Sequence, residues 1–278
     1  MEKENKLGTM PISKLIINMS LPIIISMLVQ ALYNIVDSVF VSRVCEQALT
    51  AVSLAFPAQN LMIGLATGTA VGVNALMGRA LGAGQRERAD KVANHGILLA
   101  LVGFVISAAL GATCSDLFFR SQTQIENIIR MGNDYLRVVT IGSLGMFCQI
   151  MYERLLQGTG RSILSMYTQG LGAIINIILD PIFIFAFGMG VRGAALATIL
   201  SQAVSAVWVL KFLTGSKTKW HLRREHLRPQ AKVVLPALAL GASPFIMQST
   251  ESLITVCFNS SLLKYGGDIA VGAMTVLS

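Results

Sequence analysis

Long hydrophobic segments, separated by short polar ones, make up almost the whole of this sequence. A helix needs about 20 mainly apolar residues to cross the hydrocarbon core of a bilayer, whereas barrel strands alternate in polarity and are about half as long. The pattern therefore predicts seven membrane-spanning helices, at Leu15 to Val41, Leu54 to Leu76, Asn94 to Cys114, Leu136 to Leu156, Ile163 to Phe187, Ala194 to Leu213 and Val233 to Leu263.

The composition supports a membrane protein. Hydrophobic residues account for 54% of the chain and charged residues for 13%, about half the charged fraction of an average soluble domain. The first nine residues are polar, and the apolar run that follows is too long for the core of a cleaved signal peptide. We therefore expect the first helix to stay in the protein.

The distribution of basic residues predicts the orientation, because cytoplasmic loops of membrane proteins are rich in Lys and Arg. With the N-terminus inside, sixteen of the 22 basic residues lie on the cytoplasmic side. The remaining six lie outside, at Arg43, Arg120, Arg130, Arg137, Arg192 and Lys264. We expect a multi-pass protein of the inner (plasma) membrane with a cytoplasmic N-terminus.

The net charge of +8 does not by itself indicate a nucleic-acid partner. Residues 214–232 form a basic stretch, and the charge of this stretch suits anionic lipid headgroups on the cytoplasmic side. We read it as a linker, and we expect membrane lipid and no nucleic acid as partners.

The segment after this linker resembles the start of the chain. An offset of 222 residues aligns similar residues without a gap: Pro22 with Pro244, Ser38 with Ser260, Glu46 with Asp268, Ala48 with Ala270, and Ala51 with Ala273. Parallel repeats of this kind build the two lobes of some membrane transporters. We predict an all-α polytopic membrane protein with a six-helix lobe (1–213), the linker (214–232) and the first helix of a second, truncated lobe (233–278).

Acidic residues inside the predicted spans are functional candidates, because an unpaired charge in lipid is costly. Three residues qualify on this basis: Asp37, Asp180 and Glu251. On the first span, helical spacing places Asp37 on one face with Gln30, Tyr33 and Asn34. The same reasoning groups Asn176 with Asp180 on the fifth span, and Thr198 with Gln202 on the sixth.

The chemistry of these groups indicates a cation site. Two neighbouring carboxylates with little water around them cannot both stay ionised cheaply, so they hold a proton or share a metal cation. The neutral oxygens of Asn176 and Thr198 suit a hard ion such as Na+, although they can equally hydrogen-bond a protonated acid. The residues leave the choice between proton and sodium open.

Glu251 and three glycines complete the set of notable positions. The repeat pairs Glu251 with Val29 and pairs Asp37 with Asn259, so Glu251 is a candidate for a separate cavity role or for packing. Gly64, Gly68 and Gly72, four residues apart on the second span, predict a face for close helix packing.

Several segments together resemble the multidrug and toxic compound extrusion (MATE) family. They are SLPIIISMLVQALYNIVDSVFVSR, ALGAGQRERADK, LLQGTGRS, IINIILDPIFIF and GAALATILSQ. The resemblance implies twelve helices in two lobes, export of drug-like compounds in exchange for protons or sodium, and a cation site at Asp37, Asn176, Asp180 and Thr198. It also implies that Glu251 approximates a functional glutamate of some members.

These observations predict a cation-coupled (H+ or Na+) antiporter that exports drugs and other amphipathic or organic-cation compounds by alternating access. It would act as a monomer and use no cofactor beyond the coupling ion. The alternative is a related flippase for a lipid-linked precursor, which would line its cavity with basic residues. An enzyme is not expected, because no nucleophile with a base and no metal set is evident.

Overall fold

The computed structural model of this chain describes residues 10–214 and 230–277. Residues 1–9, 215–229 and 278 lie outside the described residues, and they include most of the predicted linker at 214–232. Within the described ranges the chain forms eight α-helices: α1 (Ile12–Ser42), α2 (Glu46–Gly82), α3 (Arg86–Arg120), α4 (Glu126–Ile141), α5 (Leu144–Gly158), α6 (Ser162–Pro181), α7 (Val191–Thr214) and α8 (Ala231–Leu277). A π-helical turn, Ile182–Ala186, continues α6.

Six helices of the described part are long and apolar enough to cross a membrane, namely α1, α2, α3, α6 with its π-helical turn, α7 and α8. Large apolar side chains project outward from them, among them Ile24, Leu32, Val105 and Val207. Such exposure is expected of surfaces that face lipid tails. The predicted all-α membrane fold is confirmed.

The fourth predicted span, Leu136 to Leu156, is wrong as a single helix. It covers the end of α4 and most of α5, which are separated at Gly142 and Ser143. The Ser143 hydroxyl donates to the Thr140 carbonyl at 2.7 Å, which occupies an acceptor at the end of α4. At Gly142 an added Cβ would collide with the side chain of Ile199 on α7, so the small residue lets α7 approach the break.

The predicted small-residue face on the second span is confirmed, and its partner is the last helix. An added Cβ at Gly64 would lie 2.8 Å from Gln248 Cβ, and one at Gly68 would lie 2.7 Å from the Gly241 carbonyl oxygen. Such close approach of two backbones is typical of helix pairs in lipid, where packing replaces the hydrophobic effect. The packing of α2 against α8 fixes the last helix on the lobe.

The helix α1 lies at the edge of this bundle and packs mainly on α6. Most of its surface is exposed, and Pro22 interrupts its hydrogen-bond ladder. The Ser26 hydroxyl donates to the Pro22 carbonyl at 2.8 Å. The pairing of α1 with α6 brings together the two helices that carry the predicted acidic residues.

Candidate functional site

One acidic residue lies on each of the two packed helices α1 and α6. Asp37 lies near the end of α1 and is half-buried, and Asp180 is fully buried one residue before Pro181. The two carboxyl groups are close enough to interact electrostatically. The structure therefore brings together the two residues that the sequence placed on separate helices.

Asn176 completes this group from one turn earlier on α6. Its side chain is buried, and its Nδ2 donates to Asp180 Oδ1 over 3.4 Å. One oxygen of each side chain is buried without a hydrogen-bond partner, namely Asp37 Oδ1, Asn176 Oδ1 and Asp180 Oδ2. Among the ion pairs of the described residues, none involves Asp37 or Asp180. We call Asp37, Asn176 and Asp180 the acidic pair site.

The local sequence explains why the backbone changes course beside Asp180. Pro181 has no N–H, so the helical ladder loses one bond, and the π-helical turn Ile182–Ala186 follows directly. Turns of this type recur at functional sites within helices. Gly188 and Gly190 then adopt positive φ angles of 63° and 55°, which turns the chain into α7.

Thr198, the fourth predicted ligand, lies on α7 and is partly buried. Its hydroxyl donates to the Ala194 carbonyl at 3.0 Å, so the hydroxyl proton is used within its own helix. The oxygen keeps lone pairs that can accept a bond or ligate a cation. Its membership in the cation site remains a prediction.

A cavity of about 90 Å³ lies among α1, α2, α5, α6 and α7, and most of its lining is polar or small. The predicted residues Gln30, Tyr33, Asn176 and Gln202 line it. Its other lining residues are Ile63, Met146, Gln149, Ile150, Glu153, Gln169, Gly172, Ala173 and Ser201. The cavity therefore gathers residues that the sequence assigned to three separate spans.

Glu153 is the acidic lining residue that the sequence analysis missed. It lies inside the predicted fourth span and is only 5% exposed. Its Oε1 accepts from Gln149 Nε2 at 3.0 Å and its Oε2 from Gln169 Nε2 at 3.1 Å. The signal was available, because an acid in a span is a functional candidate, but Arg154 beside it resembles the start of a loop.

Two predicted residues lie elsewhere. Asn34 is half-buried on α1, where its carbonyl accepts from the Ser38 hydroxyl at 2.9 Å, and it does not line the cavity formed by the described residues. Glu251 is exposed on α8, and its carbonyl accepts from the Thr255 hydroxyl at 3.0 Å. The structure therefore leaves both residues outside the cavity.

The acidic pair site has the chemistry of a small-cation site. Carboxylate and amide oxygens are the ligands that hard cations prefer, and the three buried oxygens lack other partners. A proton shared by the carboxyl groups would satisfy the same unpaired atoms. No group of three or more His, Cys, Asp or Glu residues in the described part resembles a transition-metal site.

The class of protein follows from two features: helices long and apolar enough to span a membrane, and a cavity among them with buried acidic residues. This is a polytopic membrane protein with buried acidic residues, which in such proteins are candidates for a functional role. Comparison with known sequences agrees. The sequence profile of the MatE family matches residues 22–182, and the chain belongs to this family. Its members named below are transporters rather than enzymes.

The names of two similar proteins refer to different functions, multidrug resistance and FAD transport. The chain is 29% identical over 266 residues to the probable multidrug resistance protein NorM of Thermotoga maritima, covering 94% of this chain and 57% of that protein. It is 29% identical over 209 residues to the FAD transporter of Shewanella oneidensis, covering 74% of this chain and 46% of that protein.

A solved structure of similar fold is a MOP superfamily transporter from Pyrococcus furiosus, for which a reversed polarity of the binding pocket and a different function are described. The match covers 100% of this chain and 62% of the Pyrococcus furiosus chain, with a TM-score of 0.89 and 31% sequence identity. The chain thus spans about half to three fifths of the length of these relatives.

Proposed function

We propose that the protein is a cation-coupled antiporter that exports amphipathic or organic-cation compounds by alternating access. The coupling ion, H+ or Na+, binds at Asp37, Asn176 and Asp180, with Thr198 as an additional ligand. The observation that carries this proposal is the acidic pair site, with one unpaired buried oxygen on each of its three residues.

Coupling requires that the ion and the cargo favour different conformations. The ion site joins α1 to α6, so occupancy of the site changes the contact between these helices. Pro22 gives α1 a point at which it can bend, and Pro181 with its π-helical turn gives α6 another. Ion binding from outside would draw the helices together and release cargo outward.

The charge of the cavity supports a cationic cargo. Glu153 lines it, and Asp37 and Asp180 act electrostatically on the cavity residue Tyr33. The cavity lining contains no Lys or Arg. An anionic cargo such as FAD, or the charged part of a lipid-linked precursor, would be repelled by this lining. The antiporter is therefore favoured over the flippase.

The protein would carry out this exchange as a monomer in the inner membrane, with its N-terminus in the cytoplasm. The binding partners would be the small drug-like molecule and the surrounding lipid. We expect no cofactor beyond the coupling ion and no nucleic-acid partner.

The test is efflux of the fluorescent organic cation ethidium from cells that express the gene encoding this chain, under an imposed proton gradient and then a sodium gradient. Asp37→Asn and Asp180→Asn keep side-chain shape and remove charge. Asp116→Asn is the matched control, because Asp116 is half-exposed, pairs with Arg120 at 2.8 Å and does not line the cavity.

The proposal expects wild type and the control to export under one of the two gradients, which identifies the coupling ion. Both site variants should lose at least tenfold in rate at equal expression, since they remove a charge that the ion requires. Normal gradient-driven export by both variants would contradict the assignment of the ion site. If the wild type exports under neither gradient, the antiport mechanism is wrong.

A further inference from the structure

We infer that Glu153, Gln149 and Gln169 form a receptor for a positively charged organic group that carries N–H donors, such as a protonated amine or an amidinium. The inference deepens the proposed function, on which it rests for the identity of the cargo. It concerns a cluster separate from the acidic pair site, on α5 and the first half of α6.

The two glutamine side chains fix the orientation of the carboxylate, and the carboxylate fixes theirs. A carboxylate can only accept hydrogen bonds, so each amide must turn its NH2 group toward Glu153. The bonds observed are 3.0 Å from Gln149 and 3.1 Å from Gln169, one to each carboxylate oxygen. The glutamate is therefore held in place from both sides by neutral donors.

The same arrangement leaves two acceptors without donors. Because their NH2 groups face the carboxylate, the amide oxygens point elsewhere, and Gln149 Oε1 and Gln169 Oε1 are both buried with no hydrogen-bond partner. An unpaired buried acceptor costs roughly 1 to 3 kcal/mol in general, so two beside one carboxylate form a cluster that requires donors. A cation with several N–H groups supplies both the charge and the donors.

The surrounding charges leave the glutamate available. Among the ion pairs of the described residues, none includes Glu153. Arg154 follows it in the chain and interacts with it electrostatically, but the Arg154 guanidinium donates to Gln157 Oε1 at 2.9 Å. The nearest base is thus engaged by a neutral partner instead of neutralising the carboxylate directly.

The cavity walls favour an organic ion over a bare metal ion. Tyr33, Met146, Ile150 and Ala173 bring aromatic and apolar surface to the lining. A volume of about 90 Å³ is smaller than the roughly 300 to 1,000 Å³ of pockets that enclose whole drug-sized molecules. The cavity therefore fits a charged head group, with the rest of the molecule outside it.

The test compares three matched probes that share a benzyl group: benzylammonium, benzyltrimethylammonium and neutral benzyl alcohol. Binding to the full 278-residue chain in lipid nanodiscs is measured by ligand-detected NMR, with empty nanodiscs to subtract partitioning into lipid. Glu153→Gln removes the charge at constant shape. Glu87→Gln, on the exposed first turn of α3, is the control variant.

We expect benzylammonium to bind the wild type and the Glu87→Gln control alike, and to bind Glu153→Gln roughly 10- to 100-fold more weakly, as for loss of a charged hydrogen bond. Benzyltrimethylammonium, which has the charge but no N–H group, should bind the wild type at least about fivefold more weakly than benzylammonium. Benzyl alcohol should not distinguish the variants.

Equal binding of benzylammonium to wild type and to folded Glu153→Gln would overturn the inference. If Glu153→Gln does not fold, the inference is tested by comparing the two cations on the wild-type chain. Benzyltrimethylammonium binding as tightly as benzylammonium, or more tightly, would overturn the inference. The assay contains no ion gradient, so amine binding can hold while gradient-driven export fails, and the reverse. The two proposals therefore fail separately.

Discussion

Gly72 on α2 is the position at which the packing of the last helix can be tested most sharply. The substitution Gly72→Ala adds one methyl group to a contact between two backbones. Its Cβ would overlap the Ala237 carbonyl oxygen and lie 2.8 Å from the Ala237 carbonyl carbon and 3.0 Å from the Gly241 nitrogen. None of these atoms belongs to a flexible side chain, so α8 must move away.

The expected cost follows from this geometry. Overpacking a close contact costs roughly 1 to 3 kcal/mol of unfolding free energy. Gly78→Ala on the same helix is the matched control, because an added Cβ there has nothing within 4 Å. Alanine is a better helix former than glycine by about 0.5 to 1 kcal/mol, so the control should be neutral or stabilising. Both variants share this gain, so they should differ by the overpacking cost alone, roughly 1 to 3 kcal/mol.

The assay is unfolding of the purified chain in mixed micelles with rising sodium dodecyl sulfate, followed by circular dichroism. The midpoint for Gly72→Ala should fall below wild type and that for Gly78→Ala should not. If both variants unfold within about 0.5 kcal/mol of each other, the backbones of α2 and α8 are not in contact at Gly72, and the placement of the last helix is wrong.

Three further changes probe the rest of the fold. His95→Phe removes the ring nitrogen that accepts from the Gln230 N–H at 3.1 Å, so amide exchange at the start of α8 should quicken, and unchanged exchange would show that this cap does not hold. Tyr135→Phe removes the hydroxyl that accepts from Gln59 at 3.2 Å and should lower the unfolding free energy by about 1 kcal/mol, measured in the same micelle assay; no loss would contradict the bond. Arg192→Ala breaks an exposed 2.8 Å ion pair with Asp134 and should lower the unfolding free energy by less than about 1 kcal/mol. A larger loss would show that this pair contributes more than an exposed ion pair does.

Sequence alone determined the class of fold and part of the site. Seven apolar runs and a low charge content leave helices in a bilayer as the workable structure, because backbone polar groups in lipid must be satisfied within each segment. The acids Asp37 and Asp180 stood out for the same reason, since an acid in lipid needs a role or a partner. The four-residue spacing of Gly64, Gly68 and Gly72 indicated a packing face.

Tertiary structure decided which of these residues meet. Helical periodicity gives the face of each residue but not the direction in which that face points, so the proximity of Asp37 to Asp180 depended on α1 packing against α6. At the break between α4 and α5, Gly142 leaves room for Ile199 of α7, a long-range contact that the local sequence does not reveal. The role inferred for Glu153 depends on two glutamines, from α5 and α6, that only the packed bundle brings to its carboxylate.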